Sequence, residues 1–500
     1  MTKGDFQMKY WRRKQFLAVL MVFSLIGTAG CGRVSGTGPN GRGVEEKESA
    51  VPEENGGKAT PVNSSESKGG TEIRVNDEDE ITESDFKKQY QSYCEASISK
   101  FLQLNWGENP GQGTVLYSPV NLYMALGMLS EMGDGETRLQ LQDGLSGLDE
   151  EAAVKNHMCV SSEEQQRKGN GRQTMIRQTS QWLYGKAASG VCSFGNSVWF
   201  SDRYDFSDRI KDILENNYDA KYDSGRMGDP AFDEKIQKWL DHQTGGKLRK
   251  KISSNIKTKP DMAMLLLSAA NFKDEWEEPI FDRKDTGKDT FYGRNYYTCG
   301  NTTEEEKLDK VTCDFMNTSW NGLCVENKHF QAVSIPMKNT RMTLVLPRKG
   351  ISFDKVSSTE RIKEIIELCD PESPKWKQGL VKLSLPKLQF QSDLDLIPML
   401  QEMGIKDAFQ VEKADFGRVW KEKDPETSVP DLYVSKARQA GAVKVDENGC
   451  SVASYTEIAI TESMMIPDIQ MTMKCNRPFI IIVSDEKGIP LFVGAVSRIE

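Results

Sequence analysis

Histidine is scarce in this chain of 500 residues, which holds only His157, His242 and His329. None of the three lies in an HExxH pattern, and neither GxSxG nor GxxxxGK[ST] occurs. The common signatures of zinc hydrolysis, of a nucleophile elbow and of a phosphate cradle are therefore missing. The ten cysteines include no CxxC pair, which excludes the usual zinc spacings. A net charge of −9 lacks the basic surplus of a general binder of nucleic acid or anionic membrane. The apolar run Phe16 to Ile26 is too short for a membrane-spanning helix, which needs about 18 residues or more. What is present is ample apolar content: 500 residues with 37% hydrophobic and 28% charged suffice for one large core or for two ordinary domains.

The chain divides into three expected segments. Lys9, Arg12, Arg13 and Lys14 precede the apolar run, and Gly27, Thr28, Ala29, Gly30 and Cys31 follow it. Basic, apolar, then small is the order of an export leader. Its ending resembles a bacterial lipobox, with Thr28 where an aliphatic residue is usual. The resemblance implies lipidation at Cys31, hence a cell-surface protein anchored to the membrane rather than spanning it. A plain secretory leader, giving a protein free in the extracellular space, is the alternative. Residues 1–31 are thus a leader, 32–80 a linker and 81–500 the folded domain. The linker is rich in Gly, Ser, Glu and Lys and too poor in apolar residues to fold. Its Gly36-x-Gly38-x-x-Gly41 has no strand before it and no helix after it, so the dinucleotide fingerprint is fortuitous. With Cys31 lipidated, nine of ten cysteines remain, an odd number that leaves a free thiol or an intermolecular pair. Export permits disulfides, and a pair among Cys299, Cys313 and Cys324 is one option.

Beyond residue 80, Phe86, Tyr90, Cys94, Ile98, Phe101 and Leu102 recur at helical spacing. Ser118 and Pro119 suit an N-cap and a first turn, opening a helix that Gly133 closes. Residues 160–190 read as an enlarged loop or frayed helix. Ile236, Trp239 and Leu240 give a helical stripe stopped at Gly245-Gly246. Met264 to Ala270 is a continuous apolar run, as in a strand buried on both faces. Residues 296–323 read as a polar, irregular insertion. Two strands are expected within 333–346 around Lys338–Arg341. A strand broken at Pro386 follows, then a helix from Asp393 to Met403 stopped by Gly404.

Near the end, Asp446, Glu447, Asn448 and Gly449 form an acidic-to-glycine hinge. Cys450 to Ile466 then runs without glycine or proline, unlike an ordinary loop. It alternates as a strand does: Cys450, Val452, Ser454, Thr456, Ile458 and Ile460 share one face. Tyr455 and Glu457 lie on the other.

Several stretches together resemble the serpin family in one register from about Phe86 to Glu500. Met473-Lys-Cys-Asn-Arg-Pro-Phe-Ile-Ile-Ile-Val483 resembles the C-terminal signature. Asn271-Phe-Lys-Asp-Glu-Trp276 is similar to FKGKW, and Ile236 to Lys247 resembles the helix crossing the central sheet. Gly404-Ile-Lys-Asp-Ala-Phe409 with Ala414-Asp-Phe416 resembles a further block. Asn196 to Phe200 is similar to a central-sheet strand, and Tyr117 to Asn121 to the segment behind that sheet.

The resemblance implies an α+β serpin fold, about eight or nine helices around three β-sheets, with an exposed reactive-centre loop. It implies a non-enzymatic monomer that inhibits a serine protease through a covalent acyl complex, using no cofactor, metal or nucleic acid. The hinge residues would be Glu447, Gly449, Cys450, Val452 and Ser454. Trp276 would mark the breach, where the loop enters the sheet; Ser118, Pro119, Ser268 and Gln439 would form the shutter behind it. Gln439 stands where the family usually has histidine, and Ser268 where it has asparagine. Counting from Glu447 puts the reactive bond at Ser463–Met464, with Met464–Met465 and Met465–Ile466 as alternatives. Residues 450–473 contain no Lys or Arg, which disfavours a trypsin-like target and suits elastase-, chymotrypsin- or subtilisin-like pockets. A non-inhibitory surface binding protein, or a protease substrate, on the same scaffold is the alternative.

Overall fold

The computed structural model describes residues 14–24, 81–106, 114–148, 162–187, 192–244, 256–293, 310–351, 353–421, 431–450 and 469–499. Within them lie nine α-helices and three hydrogen-bonded sheets.

Helix α1, Glu83–Trp106, buries Tyr90, Cys94, Ile98, Phe101 and Leu102, the positions picked out by the helical spacing. Helix α2, Pro119–Met132, begins where expected: the Ser118 hydroxyl accepts from the Asn121 amide and Pro119 fills the first turn. Every residue of α2 is buried, its apolar majority together with the polar Asn121, Ser130 and Glu131. Helices α3, Gly135–Leu145, and α4, Ser162–Ala187, follow. The regular 26-residue α4 corrects the loop or frayed helix expected within 160–190. Its buried positions keep helical spacing but are partly polar: Gln173, Ile176, Thr179, Ser180 and Leu183. Gln173 bonds Ser130 and Glu131, and Arg177 pairs with the buried Glu131. A polar network therefore replaces the apolar stripe that sequence periodicity detects. The remaining helices are α5, Asp208–Tyr218, α6, Pro230–Gln243, α7, Phe353–Ser357, α8, Thr359–Glu367, and α9, Ile397–Glu402. The short α9 corrects the helix expected from Asp393, because Asp393 to Asp395 still belong to a strand.

The six-stranded central sheet takes β1, Lys14–Ser24, β3, Cys192–Ser201, β4, Ala220–Gly225, β5, Met262–Phe272, β12, Leu388–Asp395, and β13, Asp431–Val445, in the order β12-β13-β1-β5-β3-β4. Strand β5 shows why its sequence is apolar throughout. Met264, Leu266 and Ala270 face the main core with α2, while Leu265, Leu267 and Ala269 face a second cluster with Phe232, Ile236 and Leu240 of α6. Both faces are thus covered, which an alternating strand could not satisfy.

The second sheet has nine strands: β2, Val115–Tyr117, β7, Gly287–Tyr292, β8, Lys310–Glu326, β9, Phe330–Pro336, β10, Thr340–Pro347, β11, Lys377–Pro386, β15, Gln470–Lys474, β16, Phe479–Asp485, and β17, Pro490–Val496. The 17-residue β8 corrects the irregular insertion expected through residue 323. It pairs with β7, β9 and β11, and backbone ladders hold it where few of its side chains are buried. The third sheet is a short pair, β6, Asp274–Glu275, with β14, Gly449–Cys450.

Candidate functional site at the hinge and central gap

Strand β13 ends at Val445 and the chain reverses over Asp446–Gly449. The Asp446 and Gly449 backbones bond each other reciprocally at 3.1 Å, and the Asp446 carboxylate accepts from the Asn448 amide at 2.9 Å. Gly449 adopts φ +131°, and a Cβ there would meet the Asp274 carbonyl oxygen at 2.6 Å. Glycine is required by both backbone angle and space. The chain then pairs Gly449 with Glu275 and Cys450 with Asp274. Asp274 is itself buried, accepting from Thr340 Oγ1 at 2.7 Å and the Asn339 amide at 3.0 Å. Trp276, 4% exposed, donates its indole N–H to the Asp446 carbonyl at 3.0 Å. The residues expected at hinge and breach thus touch.

Two ion pairs hold this turn. Glu447 lies 2.7 Å from Lys387 Nζ and accepts from Thr286 Oγ1 at 2.7 Å. Asp446 pairs with Lys444 at 2.9 Å. Burial works to raise both carboxyls, but the lysines and hydrogen bonds prevail and hold each below its usual range. The Cys450 thiol is pushed up by burial, with Asp274 and Asp446 adding to it. It stays protonated and packs as a small apolar side chain, the inward position expected from the alternation.

The residues expected at the shutter lie deeper. Gln439 Oε1 accepts from the Ser118 amide at 2.7 Å, and its Nε2 donates to the Ser118 carbonyl at 3.1 Å. The Ser118 hydroxyl donates to the Leu491 carbonyl at 2.9 Å. Gln439 therefore joins the middle of β13 to the start of α2 without any group that titrates near neutral pH. Ser268, paired in register with Asn196, has a buried hydroxyl with no partner among the described residues.

Strands β5 and β13 do not pair with each other; β1 lies between them, parallel to both. A strand continuing from β14 would enter from the hinge end and run the opposite way. Val452, Ser454, Ser463, Met464, Met465 and Ile466 lie outside the described residues, as does Cys31. The seven cysteines described, Cys313 and Cys324 included, are free. Among the described residues, no group of three or more His, Cys, Asp or Glu could hold a metal ion. Sequence reading missed Lys387, Thr286 and Asp274, since no spacing links them to Glu447 or Gly449.

The family model described as Serpin (serine protease inhibitor) matches residues 98–499. An uncharacterized serpin-like protein of Methanosarcina acetivorans is 24% identical over 405 residues, 80% of this chain and 84% of that protein. Serpin B8 of Homo sapiens is 25% identical over 416 residues, 81% and 98% of the two chains. The native-state crystal structure of the thermophilic serpin tengpin shares the fold, with a TM-score of 0.64 at 24% identity over 84% of this chain and 95% of tengpin.

Proposed function

Because the chain belongs to the serpin family, described as serine protease inhibitors, we propose that it inhibits a serine protease as a suicide substrate. The protease serine attacks the carbonyl of Ser463, or of Met464 or Met465 in the alternative frames. The amine of the next residue leaves, and an acyl ester joins inhibitor to enzyme. The freed segment after Gly449 then enters the central sheet between β5 and β13, drawing the protease with it and distorting its active site.

One observation carries this reading: β5 and β13 stand a full strand apart, and the hinge is already paired at the mouth of that gap. Proline or a buried charge near the hinge would obstruct entry, and Cys450 to Tyr455 contains neither. The absence of Lys and Arg from 450–473 favours an elastase-, chymotrypsin- or subtilisin-like target. We further propose a monomer, exported and lipidated at Cys31, on the outer side of the membrane. The fold alone does not choose against a binding role, since thyroxine-binding globulin in complex with thyroxine shares it at TM-score 0.61.

The test is incubation of the chain beginning at Gly32 with an elastase-like protease, read on a denaturing gel and by mass spectrometry. A covalent band with cleavage within 462–466 is expected. Clean turnover without a band would make the protein a substrate and overturn the proposal.

A further inference from the structure

Downstream of the reactive bond the chain is tied to the edge of the second sheet at Ile469. The Leu380 amide of β11 donates to the Ile469 carbonyl at 2.8 Å, and a Cβ on Gly379 would meet Ile469 Cγ2 at 2.7 Å. Strand β15 starts one residue later and pairs in parallel with β11, which pairs antiparallel with β8. Val381, Leu383, Met471 and Met473 point inward and are buried. The opposite face is open to solvent, with Ser319, Lys382 and Thr472 side by side at its centre, about 10 Å across. The rows flanking this one hold amides, a hydroxyl, Leu380 and one further cation, Lys474, which pairs with Asp289. The Ser384 hydroxyl donates to Asn317 Oδ1 at 2.7 Å, and Asn317 Nδ2 to the Asp285 carbonyl at 2.8 Å, which fixes that part of the face. No carboxylate stands in the three rows.

The length of the tether decides what lies over this face. Ser463 is six residues before Ile469, so the reactive carbonyl is held within about 22 Å of this edge, and the alternative frames bring it nearer. A protease domain of about 220 residues has a radius of gyration of about 17 Å, hence a body roughly 40 Å wide. An enzyme closed on that bond therefore reaches the face. We propose that Ser319, Lys382 and Thr472 form a second contact surface for the serine protease, one that takes an acidic, hydrogen-bonding rim beside the enzyme's cleft. Lys382 supplies attraction at a distance, and the hydroxyls bond polar groups of the rim once it has docked. The surface rests on the reading that a serine protease attacks the reactive segment, and not on insertion of that segment afterwards.

The experiment measures the second-order rate at which the chain beginning at Gly32 is cut, with an elastase-, a chymotrypsin- and a subtilisin-like enzyme, at about 0.05 M and about 0.5 M salt. For the enzyme that cuts fastest within 462–466, Lys382→Glu should lower the rate at least about fivefold at low salt, and by less at high salt. Ser319→Glu should act in the same direction, and Lys382→Arg should restore the parent rate. Both positions are exposed, so all three variants should melt within about 1 °C of the parent. A rate that Lys382→Glu leaves unchanged or raises would overturn the contact surface, even where a covalent band forms. Slower cutting of that variant without a band from the parent would keep the surface and remove the inhibitor reading. Cleavage within 462–466 by none of the three enzymes would remove both.

Discussion

Lys387 is the residue on which the charge balance of the hinge turns. The Glu447 side chain is only 6% exposed, and Lys387 is the cation beside it. Lys387→Ala leaves that carboxylate with the Thr286 hydroxyl, a loss of about 1–3 kcal/mol for a buried charged group short of its partner. Glu447 titrates below its ordinary value of 4.5 in the folded chain. A lowered folded value means the unfolded chain binds the proton more readily, so the ion pair stabilises fully above pH 4.5. That contribution is lost as the pH falls through the lower folded value. Lys444 and Asp446 are unchanged in the variant and cancel in the comparison. We expect Lys387→Ala to melt about 1–4 °C lower at neutral pH, with the difference shrinking on acidification. Equal melting temperatures at neutral pH would remove Lys387 from the account of the hinge.

At the scale of elements, the same alternation that buries Cys450 places Val452 and Ser454 on the inward face of any inserted strand. Val452→Arg asks the sheet to bury a charge, and Ser454→Pro removes a ladder amide. Neither changes the residues around Ser463 that a protease would read. Both variants should be cut as readily as the parent chain while the covalent band falls at least about tenfold, measured as moles of protease trapped per mole of inhibitor cleaved. Undiminished trapping by both would count against strand insertion. Which elements could be read beforehand follows from where the apolar atoms lie. Helix α2, strand β5 and the hinge were legible because Ser118, Pro119 and Gly133, the run Met264 to Ala270, and Gly449 each carry a local signal. Helix α4 was not, since Gln173, Thr179 and Ser180 occupy its buried face. Strand β8 was not, since it is held mainly by its ladders. The helix expected from Asp393 was overrun by β12, where pairing with β13 outweighs local preference. The grip of Lys387 on Glu447 joins residues far apart in sequence, which no single-chain pattern encodes.

At the scale of the whole molecule, the proposed trap requires that the uncut chain hold a conformation its own sheet would improve upon. Val452, Ile458 and Ile460 fall on the inward face, and burying each is worth about 1.5–3 kcal/mol. New ladder hydrogen bonds add about 0.5–1.5 kcal/mol apiece, against the cost of ordering the loop. A net gain of several kcal/mol is large beside the typical stability of about 5–15 kcal/mol. Nicking the chain beginning at Gly32 near Met464 with a metalloprotease, which leaves no acyl ester, isolates this step from trapping. The nicked form should melt at least about 3 °C above the intact one. Identical melting temperatures for intact and nicked forms of this chain would mean that no strand is being held back, and insertion would have no driving force.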